Sequence, residues 1–93
     1  MTNKIHIPAP LRAYTEQQKT IVLEGATVAE LLGKLVAAHP DLKPHLYDEG
    51  GLVRRFVNIY VNDEDIRYLE GEKTKLAAGD TVSLVPSVSG GRS

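Results

Sequence analysis

The chain has 93 residues, of which 42% are hydrophobic and 25% charged, so we expect a single soluble globular domain. Eleven basic and twelve acidic residues give a net charge of −1, and the scattered basic residues argue against a nucleic-acid partner. No apolar run approaches the roughly 20 residues needed to span a bilayer, and the N-terminus lacks the pattern of a secretory signal. The sequence therefore predicts a cytoplasmic protein without a membrane partner.

Several chemistries are excluded by the residues that the chain lacks. Cysteine is absent, which rules out disulfides, thiolate metal sites and a thiol nucleophile. The sequence also contains neither a nucleophile-elbow motif nor a phosphate-binding glycine loop. His6, His39 and His45 lack the spacing of metal ligands, and residues 63–65 lack that of a calcium loop. We therefore predict no catalytic residues, no metal and no cofactor, and we expect the chain not to be an enzyme.

The N-terminal half predicts two strands followed by a helix. Residues 4–7 alternate polar and apolar side chains, and residues 19–23 are rich in β-branched residues, so the two segments are expected to pair. Thr27 and Glu30 have the spacing of a capping box. The helix that follows carries its apolar residues on one face: Val28, Leu31, Leu32, Leu35 and Val36. It is expected to end at His39 because Pro40 follows.

The C-terminal half predicts shorter elements. Residues 41–51 are expected to be a loop with one helical turn, and residues 56–61 form the strongest strand pattern. Residues 66–68 are predicted to be a short edge strand, residues 74–76 a helical turn, and residues 81–85 a last strand ended by Pro86. This order predicts an α+β protein of the β-grasp (ubiquitin-like) class, with one main helix on one face of a mixed sheet of four to five strands. The domain is expected to span residues 1–86, followed by a flexible C-terminal tail, residues 87–93, that contains two glycines.

One face of the predicted sheet carries candidate docking residues. Strand side chains alternate, so Val57, Ile59 and Val61 are assigned to the core together with Val82 and Leu84. This assignment leaves an exposed set beside the tail: Phe56, Tyr60 and Val85, with Arg55 next to them. Exposed aromatic side chains near a reactive terminus are natural anchors for a partner enzyme. The alternative is that the aliphatic stems of Arg54, Arg55 and Arg67 cover these side chains.

The end of the chain resembles a known family. A strand that ends in Leu84, Val85 and Pro86 is followed by a short spacer and then by Gly90 and Gly91. Together with residues 55–65 and the Gly79–Asp80 pair, this arrangement resembles the prokaryotic sulfur carriers of the ThiS/MoaD family, and among them the CysO-type carriers of cysteine biosynthesis. The resemblance covers residues 5–91, which is almost the whole chain.

The resemblance implies a function that depends on the terminus. In this family an E1-like enzyme adenylates the carboxylate of the last glycine with its own bound ATP, and the adenylate becomes a thiocarboxylate that donates sulfur to a synthase. Gly91, with Gly90 before it, would be the adenylation and thiocarboxylate site. A narrow channel must admit bare backbone, which explains two glycines. The alternative is a ubiquitin-like modifier that is joined to lysines through Gly91.

Arg92 and Ser93 depart from the family pattern because they follow Gly91. If they are native, a peptidase must remove them before adenylation, and the resemblance implies a zinc metalloprotease as the partner that cuts after the diglycine. If they are a cloning remnant, no cut is needed. The sequence leaves both explanations open. It also leaves open the final sulfur acceptor, which the partner synthase would determine.

Overall fold

The computed structural model describes residues 2–54 and 57–86, and it contains both helical and extended elements. The strands in these residues are β1 (Asn3–His6), β2 (Thr20–Leu23), β3 (Val57–Val61), β4 (Glu64–Asp65) and β5 (Thr81–Pro86). The main helix is α1 (Val28–Ala38), and α2 (Lys43–Leu46) is a single turn. Four 3-10 helices are also described: Ala9–Tyr14, Pro40–Leu42, Ile66–Tyr68 and Gly71–Lys73.

The strands form one mixed sheet in the order β2-β1-β5-β3-β4. β1 pairs antiparallel with β2 and parallel with β5, which occupies the centre of the sheet. β3 then pairs antiparallel with β5 on one side and with the short β4 on the other. This topology, with α1 packed on one face, confirms the predicted β-grasp class.

Helix α1 begins as the capping-box spacing predicts. The Thr27 hydroxyl accepts a hydrogen bond from the Glu30 amide at 3.2 Å, and the Glu30 carboxylate accepts one from the Ala26 amide at 3.4 Å. Glu30 thus bonds to Ala26, the residue before the N-cap Thr27, instead of to the amide of Thr27 itself. The apolar face of the helix packs on the sheet, and the buried core includes Val28, Leu31, Leu32, Leu35, Ile5, Ile59, Val82 and Leu84.

Two short segments differ from their predictions. Residues 66–68 form a 3-10 turn instead of a strand, because the Asp65 carboxylate accepts a hydrogen bond from the Arg67 amide at 2.8 Å. Such a local bond competes with the pairing of a strand. Residues 74–76 are extended instead of helical, because the Thr74 carbonyl accepts from the Val28 amide at 3.0 Å. This contact supplies a partner for one of the amides that the start of a helix leaves unpaired. The helical turn in this part of the chain lies earlier than predicted, at Gly71–Lys73.

The loop between α1 and β3 and the end of β5 agree more closely with expectation. Residues 41–51 contain the expected helical turn as α2, which directly follows the 3-10 helix Pro40–Leu42. Strand β5 continues through Pro86, one residue beyond its predicted end. In β5 the amides at odd positions point to β3, and those at even positions point to β1. Pro86 is an even position, so the N–H that it lacks would point toward β1. The pairing of β1 with β5 ends at His6–Ser83, so no β1 residue lies opposite Pro86. Proline at this position therefore costs no sheet hydrogen bond.

Two glycines beside and within α1 provide a matched stability prediction. A Cβ at Gly25 would lie 2.9 Å from the Leu31 backbone nitrogen, whereas a Cβ at Gly33 would meet nothing within 4 Å. We expect Gly25→Ala to lower the free energy of unfolding by about 1–3 kcal/mol through overpacking. Gly33→Ala should raise it by about 0.5–1 kcal/mol because alanine favours the helix. Urea denaturation of both variants checks the pair, and equal midpoints would contradict the close approach at Gly25.

Candidate functional site

The predicted site residues divide into those that the structure places and those that it does not describe. Gly90 and Gly91 lie outside the described residues, as do Arg55 and Phe56. Tyr60 and Val85 are placed, on the paired strands β3 and β5. The described chain ends at Pro86, which pairs with Val57 at this end of the sheet.

The alternation of side chains along β3 and β5 separates core from surface as predicted. Val57, Ile59 and Val61 are buried with Val82 and Leu84, which confirms their assignment to the core. On the opposite side of the sheet, Asn58 pairs with Val85, and Tyr60 pairs with Ser83. We call the side chains of Asn58, Tyr60, Ser83 and Val85 the open face. The structure therefore brings the two described docking candidates, Tyr60 and Val85, to one face of the sheet.

The open face contains a shallow depression. Its lining residues are Tyr60, Asp63, Ser83 and Val85, and its volume is about 310 Å³. Val85 is 44% exposed, although it is aliphatic and lies in a central strand, while Tyr60 is half-buried. An exposed valine beside a tyrosine gives the face an apolar contact area next to the residues that precede the tail.

An ion pair that the sequence did not predict flanks the open face. The Arg67 guanidinium donates to both oxygens of Asp65, with its shortest contact at 2.7 Å, and to the Asn58 side-chain oxygen at 2.8 Å. Asp65 is only 8% exposed, whereas the Arg67 side chain is 67% exposed. Arg67, one of the three arginines that the alternative interpretation invokes, is held by Asp65 and Asn58. The sequence feature that could have indicated this ion pair is the spacing of Asp65 and Arg67, which are two residues apart.

This ion pair makes stability depend on pH. The Arg67 side chain and then its backbone amide donate hydrogen bonds to Asp65, and they lower the pKa of that carboxyl below its ordinary value of 3.8. A carboxyl whose pKa is lowered by folding stabilises the protein above its unfolded pKa and loses this contribution as the pH falls through its folded pKa.

We therefore expect Asp65→Asn to lower the urea midpoint at neutral pH, and we expect the difference from the parent chain to shrink below about pH 3.8. Midpoints measured from neutral pH down into the acid range check this prediction. Asn58→Ala serves as the control. It loses the contact with Arg67 but keeps the titrating Asp65, so its difference from the parent chain should not shrink in acid. A difference that stays constant across the acid range would contradict the linkage.

The histidines lie in separate places. His6 contacts the Thr20 hydroxyl at 3.2 Å on the sheet, while the His45 ring stacks on Tyr14 with centroids 4.1 Å apart. His39 follows the end of α1. Within residues 2–54 and 57–86, no group of three or more histidine, aspartate or glutamate side chains is placed to hold a metal ion. In the same part of the chain, no helix is long and apolar enough to cross a membrane.

Comparison with known proteins decides the family. The sequence profile of the ThiS family matches residues 5–91. This chain belongs to the ThiS family. The sulfur carrier protein CysO of Mycobacterium tuberculosis is 40% identical to this ThiS-family chain over 93 residues, which are 98% of this chain and all of the relative.

Further relatives include a second CysO and a small archaeal modifier protein. The crystal structure of the Amycolatopsis orientalis BexX/CysO complex contains a chain that matches with a TM-score of 0.87 and 37% identity, over 96% of this chain and 99% of that one. Small archaeal modifier protein 3 of Haloferax volcanii is 38% identical over 77 residues, covering 80% of this chain and 83% of the relative. The ThiS-family chain is therefore similar both to sulfur carriers and to a protein modifier.

Proposed function

We propose that this ThiS-family chain is a sulfur carrier that is adenylated at the Gly91 carboxylate and then loaded as a thiocarboxylate. The observation that carries the proposal is the position of Gly90 and Gly91, which follow the central strand of a β-grasp domain and fall within the matched residues 5–91. The similarity to CysO supports the same role. The described domain acts as a handle, and we propose that residues 87–93 act as the tail that is modified.

The chemistry needs no catalytic side chain on this protein. The Gly91 carboxylate attacks the α-phosphorus of ATP and releases pyrophosphate, which gives an acyl adenylate. A sulfur nucleophile then attacks the acyl carbon, and AMP leaves with the electron pair of the broken carbon–oxygen bond. The E1-like partner binds ATP and positions both reactants, so the carrier contributes a terminus that is narrow enough to enter the partner's site.

The geometry of the domain suits delivery of that terminus. Gly91 follows Pro86 by five positions, and five extended residues span at most about 17 Å. A partner that binds the open face would therefore have its nucleotide site within this distance of Pro86. We propose that the docking surface consists of Tyr60 and Val85, together with Arg55 and Phe56, which precede β3 in the chain. Exposed apolar and aromatic groups of this kind supply most of the energy of many interfaces.

Three partner enzymes follow from the proposal. The E1-like adenylating enzyme activates Gly91, and a synthase accepts the sulfur for cysteine or another sulfur-containing metabolite. A zinc metalloprotease removes Arg92 and Ser93 where these residues are present, because they block the carboxylate as an amide. We propose that these steps take place in the cytoplasm.

Mass spectrometry of the intact protein tests the proposal. A chain that ends at Gly91, given its cognate adenylating enzyme, ATP and a sulfide source, should gain the mass of an oxygen-to-sulfur exchange. The chain that retains Arg92 and Ser93 should gain none until a peptidase has removed them. If the cognate adenylating enzyme is shown to be active and the chain still gains no mass, the proposal is overturned.

A second function is supported by the similarity to small archaeal modifier protein 3. The same adenylate would pass Gly91 to lysines of target proteins, and the products would be isopeptide-linked adducts. Tryptic digestion of a cell extract distinguishes the two functions. Peptides branched at lysine through the C-terminal glycine indicate a modifier, whereas a free thiocarboxylate without such peptides indicates a carrier.

A further inference from the structure

The chain contains a second pair of adjacent glycines besides the terminal pair. Gly50 and Gly51 lie in the loop between α2 and β3, and both are exposed, as is Leu52, which has an exposure of 65%. Exposed loop tips with small side chains are preferred sites of proteolysis. A protease that selects the bare backbone of two glycines therefore meets a second candidate bond in this chain, between Gly51 and Leu52.

The Asp48 side chain closes this loop. Its Oδ1 accepts hydrogen bonds from the Gly50 amide at 2.9 Å and from the Leu52 amide at 3.0 Å. Two backbone bonds complete the loop: the Asp48 amide donates to the Leu52 carbonyl at 2.8 Å, and the Gly51 amide donates to the Asp48 carbonyl at 3.0 Å. The nitrogen of the Gly51–Leu52 peptide bond is therefore held by the Asp48 carboxylate.

The second glycine of this pair is needed by the turn. Gly51 has a φ of +82°, in the left-handed region that residues with a Cβ rarely adopt. Extended backbone has a negative φ, so the loop must open before a narrow channel can admit it. Opening breaks both bonds to the Asp48 Oδ1. Cleavage of a segment that opens locally follows the population of the open form, so the bonds to Asp48 slow cleavage in the loop.

The terminal pair lacks the equivalent acceptor. Asp48 stands two positions before Gly50. The residue two positions before Gly90 is Val88, whose side chain cannot accept a hydrogen bond. The two glycine pairs of the chain thus differ at the position that closes the loop.

We propose that the Gly51–Leu52 bond is a latent second cleavage site of the metalloprotease that trims the C-terminus. The Asp48 carboxylate holds the loop closed and so directs the cut to the bond after Gly91; this role depends on the proposed trimming step. Hydrolysis at either bond consumes one water. The water oxygen bonds to the glycine carbonyl carbon, and the carbon–nitrogen bond breaks with its electron pair on nitrogen, which takes a proton. Asp48 is thus a positioning residue that keeps the carrier whole during trimming.

The test incubates the full chain of 93 residues with the metalloprotease and follows the mass of every product. The parent chain should lose the dipeptide of Arg92 and Ser93 and stay whole at Gly51. Asp48→Ala should lose the same dipeptide and should also be cut after Gly51. The cut at this internal bond is expected to be about tenfold to a hundredfold faster than in the parent, because two hydrogen bonds to a carboxylate are lost.

Two variants of the loop separate the hydrogen bonds from the charge. Asp48→Asn keeps an oxygen that can accept from both amides, so its internal cleavage should stay within about fivefold of the parent rate. Glu49→Ala removes the adjacent carboxylate and leaves the four bonds of the loop in place, so it should match the parent. If Asp48→Asn or Glu49→Ala is cut as fast as Asp48→Ala, closure of the loop by the Asp48 oxygen is overturned.

The products distinguish failure of the proposed trimming step from failure of the internal site. If the terminal dipeptide stays on the parent and on Asp48→Ala alike, the trimming step is wrong and the internal site falls with it. If the dipeptide is released while Asp48→Ala stays whole at Gly51, the internal site alone is overturned.

A variant that is destabilised elsewhere separates local opening from global unfolding. Gly25→Ala is expected to lower global stability through its contact with Leu31 while it keeps the loop bonds. It should be cut after Gly51 about tenfold or more slowly than Asp48→Ala. Hydrogen exchange needs no protease: the Leu52 amide should exchange about tenfold or more faster in Asp48→Ala than in the parent. Equal internal cleavage of the two variants, or unchanged exchange at Leu52, would overturn the role of Asp48.

Discussion

Replacement of both terminal glycines by alanine, Gly90→Ala with Gly91→Ala, is expected to slow thiocarboxylate formation by about 100-fold or more in a chain that ends at residue 91. Each added methyl group would widen the segment that enters the proposed channel of the partner, and it removes backbone conformations that only glycine adopts freely. A misplacement of the carboxylate by about 1 Å is enough for a loss of this size, because the adenylation step requires the acyl oxygen in line with the phosphorus.

The measurement is the rate of mass gain of the intact protein with the adenylating enzyme, ATP and sulfide. Ser89→Ala is the matched control, because it changes the same tail by a similar volume without adding a side chain to a glycine. This control should stay within about twofold of the parent rate. If the double alanine variant is loaded as fast as the control, a narrow channel for the diglycine is not part of the mechanism.

The sequence predicted the fold where local patterns and tertiary packing demand the same structure. Thr27 and Glu30 place the start of α1, and alternation along β3 separates Ile59 in the core from Tyr60 on the open face. These signals are strong because a one-residue slip would expose the whole apolar set of the strand. The position of Val85 beside Asn58 then follows once β5 is paired with β3.

The sequence did not predict the features that depend on one side chain capturing a backbone group. Asp65 accepts the Arg67 amide and so ends β4 after two residues, although the pattern at residues 66–68 resembles a strand. Residues 74–76 were mispredicted for a related reason, because the Thr74 carbonyl serves the first turn of α1 and not a helix of its own.

A charge placed at Val85 is expected to impair activation of the carrier more than the same change elsewhere on the sheet. Val85 lies at the tail end of β5, within the open face, and it is 44% exposed. Val85→Asp would bring a carboxylate into the proposed apolar interface, where it would have to be desolvated without a partner. Loss of one such anchor raises the dissociation constant by about tenfold to thirtyfold. The KM of the adenylating enzyme for the carrier should rise accordingly, with a smaller change in kcat.

Val22 provides the matched control for this prediction. It lies on the same side of the sheet, because the pairs Val22–Lys4 and Lys4–Thr81 connect it to the face that carries Val85. It is also 55% exposed, but it belongs to β2 at the far edge. Val22→Asp introduces an identical change in charge and strand propensity, so KM should stay within about twofold and the two variants should melt at similar temperatures. Equal increases in KM would mean that the partner senses net charge and that Val85 is not an anchor.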